Sequence, residues 1–73
     1  MMDGKTQEVF TSGVMRVLEG GDFVEVLLLS SPVRYRLDKH LRTLRARLEE
    51  ARQSGQQVQV EVDWESQEIL DVR

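Results

Sequence analysis

The sequence predicts a small, mainly β domain with one helix, in the element order β-β-β-α-β-β. Segments in which apolar and polar residues alternate recur along the chain, as expected for half-buried strands. One segment near the middle instead spaces its leucines by three and four residues, which is typical of an amphipathic helix. Because the chain has 73 residues, the length of a single domain, all of these elements must share one core.

The composition excludes several classes of protein. The chain is 40% hydrophobic and 32% charged and has no cysteine, which is ordinary for a globular domain and excludes a disulfide scaffold, a cysteine zinc site and a cysteine nucleophile. A single histidine cannot form a histidine-rich metal site. The longest apolar run, 26–29, is too short to span a membrane. We therefore expect no metal, no cofactor and no membrane partner.

The N-terminal residues have a mixed polar character without the apolar stretch of a secretory signal. We expect residues 1–7 to form a flexible tail and residues 8–73 to form the domain. With no cysteine and no signal, the expected location is the cytoplasm.

The first half of the domain predicts two antiparallel strands joined by a tight turn. Residues 8–18 predict one long strand, in which Gly13 marks a bulge or a sharp bend. The pair Gly20-Gly21 supplies the positive φ angles that a tight hairpin requires. The second strand runs over residues 23–30.

The third strand, residues 33–37, has a helical alternative. Apolar and basic side chains alternate strictly over these residues, which favours a half-buried strand with Tyr35 facing the core. In the alternative, Ser31 caps a helix whose first residue is Pro32. We favour the strand because its alternation has no exception.

The helix is expected to begin at the N-cap Asp38 and to end near Gln53, with Gly55 just past its end. Its apolar stripe consists of Leu37, Leu41, Leu44, Leu48 and Ala51. Alternation then predicts a fourth strand over 58–64, a turn over 65–67 and a last strand over 68–72. On that last strand Leu70 and Val72 are expected to share one face.

This element order resembles the OB-fold, a five-stranded, partly open barrel with a helix at one end. The resemblance covers residues 8–72 and concerns the order of the elements. It implies an OB-like five-stranded barrel that binds ligands on the face of its second and third strands. An SH3-like barrel and a sheet covered by a helix are the alternatives.

Charge is distributed unevenly along the chain. Residues 33–52 contain seven basic and three acidic side chains, whereas the rest contains three basic and ten acidic ones, so the net charge is −3. A net acidic chain is unlike a dedicated duplex-binding protein. The basic segment nevertheless predicts either an anion-binding patch or an ordinary solvated face.

Within the anion-binding interpretation, single-stranded nucleic acid is the expected partner. Bases stack on exposed aromatic rings while basic groups contact the backbone. Phe23 and Trp64, at strand ends, are the rings available for stacking. The candidate nucleic-acid-binding residues are Arg34, Arg36, Lys39, Arg42 and Trp64.

The second strand carries more apolar side chains than one core face needs. Phe23, Leu27 and Leu29 lie on the face that should contact water. They are candidates for an interface with a second copy or another protein. In the alternative, the first strand or the N-terminal tail covers them.

We expect no enzymatic activity. Glu49 and Glu50 are adjacent on the helix and point in different directions, and sequence spacing gives His40 no acidic partner. The sequence therefore indicates a small binding module for single-stranded nucleic acid, or alternatively a structural or protein-interaction module that self-associates.

Overall fold

The computed structural model describes residues 6–73, which form six strands and one helix in a single sheet-and-helix arrangement. The elements are β1 (Gln7–Ser12), β2 (Val14–Glu19), β3 (Phe23–Leu28), β4 (Arg34–Asp38), α1 (Arg42–Ser54), β5 (Val58–Asp63) and β6 (Glu68–Val72). The expected tail lies mostly outside the described residues, and β1 begins at Gln7.

The six strands form one mixed sheet in the order β1-β5-β6-β4-β3-β2. Among the strands of residues 6–73, only β4 and β6 pair in parallel. The predicted five-stranded barrel is therefore wrong in its strand count, because the long first strand is divided at Gly13 into β1 and β2. These two strands are the opposite edges of the sheet, and no pairing joins them within residues 6–73, so the sheet is open.

The corner at Gly13 is fastened to the end of β3. Gly13 O accepts a hydrogen bond from Leu29 N at 3.0 Å. The fully buried Ser12 hydroxyl accepts one from Ser30 N at 3.0 Å and donates one to Gly13 O at 2.7 Å. A Cβ on Gly13 would lie 2.7 Å from Leu29 Cδ1, so glycine permits this close approach.

The core lies between the inner face of the sheet and α1. Alternate residues of β3, β4 and β5 face inward, as the sequence predicts, and Tyr35 is 5% exposed. The buried apolar residues are Val14, Val24, Val26, Leu28, Tyr35, Leu37, Leu48, Ala51, Val60, Val62, Ile69 and Val72. Burying a side chain of this size contributes about 1.5–3 kcal/mol to folding.

The third predicted strand is confirmed as β4, and its helical alternative is wrong. Arg36 N donates a hydrogen bond to Gln67 O at 2.7 Å, which joins β4 to the start of β6. A helix over these residues would lose this inter-strand bond and the full ladder with β3.

The predicted N-cap Asp38 is wrong. The helix begins at Arg42, and its N-cap Leu41 provides no side-chain hydrogen bond. The Asp38 carboxylate instead accepts from His40 N at 2.8 Å, in the turn that precedes the helix. The carboxylate thus binds the backbone of the preceding turn and does not cap α1. No helix in the described residues is both long and apolar enough to cross a membrane.

The apolar stripe of α1 is shorter than the sequence indicates. Leu48 and Ala51 are buried and Leu44 is partly buried, whereas Leu41 is 41% exposed. Leu37 belongs to β4. The predicted helix end is confirmed, since Gly55 has φ 74° and donates its N–H to Ala51 O at 2.9 Å.

A bulge in β6 changes which side chains reach the core. Ile69 lies opposite Val62 and Asp71 opposite Glu61, so Leu70 is the extra residue. Ile69 and Val72 are both buried, and Leu70 is 37% exposed. The expectation that Leu70 and Val72 share a face is therefore wrong.

The β2–β3 turn uses glycine for a different reason than expected. Neither Gly20 nor Gly21 has a positive φ. Gly20 N donates to Phe23 O at 3.0 Å, and a Cβ on Gly20 would lie 2.6 Å from that oxygen. Glycine is needed at position 20 because the Phe23 carbonyl oxygen approaches its backbone closely. A Cβ on Gly21, in contrast, would meet nothing within 4 Å.

Replacing each glycine of this turn by alanine separates these two cases. We expect Gly20→Ala to lower the free energy of unfolding by about 1–3 kcal/mol, because the methyl group overlaps a backbone oxygen. Gly21→Ala should change it by no more than about 0.5 kcal/mol. Urea unfolding followed by far-UV circular dichroism measures both, and equal losses would contradict this assignment.

Candidate nucleic-acid interface

The outer face of β3 and β4 combines aromatic, apolar and charged side chains. Antiparallel pairing places Phe23 opposite Asp38, Glu25 opposite Arg36 and Leu27 opposite Arg34. Because their neighbours along both strands are buried, these side chains point away from the core. This face therefore carries two of the predicted arginines and two of the predicted interface residues.

Two contacts hold the side chain of Arg36 on this face. Its guanidinium carbon lies 5.0 Å from the centre of the Phe23 ring, within the range of a cation–π interaction. Its Nη2 also donates a hydrogen bond to Ser66 O at 2.8 Å. Two contacts from distant parts of the chain thus fix the guanidinium, and they reduce the entropy that it would lose on binding a ligand.

The turn that Arg36 reaches also carries Trp64. Trp64 is 55% exposed, and its backbone N–H donates to Thr6 O at 3.0 Å. The Asp63 carboxylate accepts hydrogen bonds from the backbone of Glu65 at 3.0 Å and of Ser66 at 3.3 Å. The turn is therefore held at its start, and Trp64 presents its ring to solvent from a fixed backbone.

Asp63 shows the electrostatic effect of these bonds. A side-chain hydrogen bond from Thr6, followed by the backbone bonds from Ser66 and Glu65, lowers the pKa of the Asp63 carboxyl below its ordinary value of 3.8. The carboxylate therefore remains ionised, and able to accept all of these bonds, to more acidic pH.

Arg34 is held less firmly than Arg36. Its Nη1 lies 3.8 Å from Glu25 Oε2, and 71% of its side chain is exposed. An ion pair at this distance and exposure stabilises the protein by no more than about 1 kcal/mol. Arg34 thus remains free to turn toward a phosphate.

Lys39 and Arg42 lie apart from the other three candidates. They line a hollow of about 480 Å³ at the start of α1, together with Glu19, His40, Arg45 and Glu49. The structure thus divides the five predicted residues into two groups: Arg34, Arg36 and Trp64 at the outer face and its adjoining turn, and Lys39 and Arg42 beside the helix.

Three other basic residues of the 33–52 segment bind acidic side chains or a backbone carbonyl of the protein itself. Arg45 Nη2 binds Glu19 Oε1 at 2.7 Å, and Arg52 Nε binds Glu49 Oε1 at 3.2 Å. Arg47 Nη1 donates to the carbonyl of Val72. Much of the positive charge in this segment therefore fastens α1 to the sheet or to itself.

The predicted interface residues have different environments. Phe23 lies beneath Arg36, Leu27 is partly buried, and Leu29 is 64% exposed in the turn after β3. Sequence reasoning missed Leu18, which is 39% exposed and pairs with Glu25 beside Leu27. Its place on this face depends on a bulge in β2 that no local pattern marks.

His40 has an acidic neighbour that sequence spacing did not suggest. Its Nδ1 lies 3.0 Å from Asp38 Oδ1. The backbone N–H of His40 and then its ring lower the pKa of the Asp38 carboxyl below 3.8. Both side chains are exposed, and within residues 6–73 no third His, Cys, Asp or Glu joins them in a group that could hold a metal ion.

The chain matches no protein-family model, no curated protein and no solved structure. Its function is therefore inferred from the geometry of residues 6–73 and from the chemistry of the side chains on their surface.

The bond between Arg45 and Glu19 predicts a shifted titration. The Arg45 hydrogen bond and its positive charge lower the pKa of Glu19 below 4.5. A lowered pKa in the folded state stabilises the protein above the ordinary pKa, and this stabilisation disappears as the pH falls through the lowered value.

We expect Arg45→Gln to return the Glu19 pKa toward its ordinary value, measured by NMR titration of the side-chain carboxyl. Arg52→Gln, which removes a similar helix arginine bound to Glu49, is the matched control and should leave Glu19 unchanged. An unchanged titration in Arg45→Gln would contradict the assigned cause.

Proposed function

We propose that this protein is a non-enzymatic module that binds single-stranded nucleic acid. The binding surface consists of Phe23, Arg34, Arg36 and Trp64, and we call it the arginine–aromatic surface. Bases would stack on Trp64 and beside the guanidinium of Arg36, while both arginines contact phosphates. Exposed rings next to basic groups are the means by which proteins bind single strands without sequence preference.

The observation that carries this proposal is the position of Arg36. The guanidinium lies over Phe23 at 5.0 Å and donates to Ser66 O at 2.8 Å. A planar cation fixed in this way offers a flat surface to an unpaired base and N–H donors to a phosphate. An arginine that was merely solvated would have neither contact.

The connectivity of the strands supports the same function. Counted as one bent strand, β1 and β2 pair with β5 and with β3, and the helix lies between β4 and β5. We propose that this sheet curls as an OB-like barrel does. OB-folds bind oligonucleotides on the face of their second and third strands and in adjoining loops. Those elements correspond here to β3, β4 and the turn 64–67.

The distribution of charge favours a single strand over a duplex. The net charge of −3 repels the dense phosphates of a duplex, and stacking requires unpaired bases. Arg34 and Arg36 supply two positive charges on one strand of the sheet, whereas Lys39 and Arg42 line the hollow at the start of α1. Binding should therefore be weak and salt-dependent.

Salt dependence tests the proposal directly. Two phosphate contacts on a single strand predict a slope of log K against log salt of about −1.4, or about a sevenfold loss between about 50 and about 200 mM salt. Fluorescence anisotropy of a labelled oligothymidine gives this slope, and Trp64 should be quenched as its ring stacks. Absence of binding at tens of micromolar protein and the lower salt would overturn the proposal.

The variant Arg36→Gln should lower the slope to about −0.7, because it removes one phosphate contact. Arg52→Gln is the matched control, since Arg52 binds Glu49 on the helix and lies outside the surface. Equal effects of the two substitutions would attribute binding to net charge alone and reject the arginine–aromatic surface.

A second candidate function is self-association, and one observation favours it. Leu29 is 64% exposed and Leu18 is 39% exposed, on the side of the sheet where Leu27 is only partly covered. We propose, as the alternative, that Phe23, Leu27 and Leu29 contact a second copy of the chain. Burial of apolar surface would drive this contact, so it should not weaken in salt.

Light scattering after size exclusion tests the alternative. A dimer should have twice the 8.5 kDa mass of the chain at micromolar concentration, in low and high salt alike. Leu29→Ser should shift the dimer toward the monomer, whereas Leu70→Ser, at an exposed leucine of β6, should not. A monomer of the unsubstituted chain at all concentrations would exclude this function.

A further inference from the structure

In the part of the chain that the structure describes, one edge of the strand β1 pairs with no other strand. Within residues 6–73, β1 pairs only with β5. Trp64 N donates to Thr6 O, so Thr6 and the alternate residues after it direct their backbone groups toward β5. Gln7 and Val9 consequently direct their N–H and C=O groups to the free edge.

Two other contacts agree with this alternation. The carbonyl of Thr11, which also points to the free edge, accepts from Ser30 Oγ at 3.4 Å. The carbonyl of Gly13 accepts from Leu29 N. The loop after β3 therefore closes this edge at Thr11 and Gly13, and the edge is open from Thr11 toward Gln7.

A cavity adjoins the open part of the edge. Its volume is about 250 Å³, and it lies between β1 on one side and the β3–β4 loop with β4 on the other. Phe10 and Tyr35 contribute aromatic rings whose centres are 6.3 Å apart. The remaining lining residues are Glu8, Thr11, Ser30 and Ser31.

Glu8 is the charged residue of this cavity. It lies on the same side of β1 as the partly buried Phe10 and the buried Ser12, yet it is exposed. Among the described residues it has no ion-pair partner. An inward-facing charge on an edge strand prevents unselective strand addition, because an apolar neighbour would leave the carboxylate without compensation. A strand with a cation at this place would instead compensate it.

We propose that the free edge of β1 binds an extended peptide that carries a lysine or arginine opposite Glu8. The peptide would add a strand through the backbone of Gln7 and Val9. Glu8 and the added residue would form a non-hydrogen-bonded pair, in which side chains lie closest. The cationic side chain would lie along the Phe10 ring and reach the carboxylate.

The test uses a fluorescein-labelled heptapeptide of alternating threonine and valine with a central lysine, measured by anisotropy against the full chain. Replacing the lysine by glutamate, or the protein's Glu8 by glutamine, should weaken binding by about threefold or more. Glu65→Gln, the same chemical change at an exposed glutamate of the 64–67 turn, is the matched control and should have no effect.

The backbone contribution is tested separately. Val9→Pro removes an N–H from the free edge and leaves the β1–β5 bonds in place, so it should reduce binding by about tenfold or more. N-methylation of alternate peptide residues gives a second test without altering the protein: one of the two alternating patterns should abolish binding and the other should not.

Loss of binding with one methylation pattern, together with the effect of Glu8→Gln, would establish the site. Equal effects of both patterns, equal binding of the lysine and glutamate peptides, or no binding up to about 1 mM would overturn it. The arginine–aromatic surface lies on β3, β4 and the turn 64–67, so Arg36→Gln should leave peptide binding unchanged.

Discussion

The sharp bend at Gly13 is the constraint on which the rest of the structure depends. It divides one long extended segment into two strands that pair at opposite ends of the sheet, β1 with β5 and β2 with β3. The buried Ser12 hydroxyl and the carbonyl of Gly13 fasten this corner to the backbone after β3. Because this corner leaves β1 and β2 at opposite edges, no ladder of hydrogen bonds joins them within residues 6–73, and the sheet is open.

The two proposed binding surfaces lie on different parts of this sheet. On the outer face of β3 and β4, Arg36 lies over Phe23. Since β1 leaves the corner toward β5, its other edge stays open beside the cavity of Glu8 and Phe10. One surface carries the fixed guanidinium of Arg36 and aromatic rings, and the other carries backbone groups and a carboxylate. As proposed, they would bind ligands of opposite charge, a phosphate chain and a basic peptide.

Folding separates the basic residues of the segment 33–52 and pairs several of them with groups of the protein. Along the chain this segment is a continuous excess of positive charge. In three dimensions, Arg45 and Arg52 are neutralised by Glu19 and Glu49, and Arg47 binds a carbonyl of β6. The remaining basic residues of the segment are divided between the outer sheet face and the start of α1. No acidic residue stabilises the first turn of α1, so the helix is held by the packing of Leu48 and Ala51 and by the contacts of Arg45 and Arg47 with the sheet.

The sequence by itself determined the features that depend on neighbouring residues. Alternation placed Tyr35 and the valines of β3 and β5 in the core, and Gly55 ended the helix, because side-chain direction and a left-handed cap are local properties. Tertiary structure decided the rest. The contact of Arg36 with Phe23 and Ser66 depends on how β4 pairs with β3 and β6, and Ser66 is 30 positions from Arg36 along the chain. The bulge at Leu70, the free edge of β1 and the use of Asp38 in a turn likewise depend on which distant backbone groups form hydrogen bonds, and no local pattern in the sequence specifies those partners.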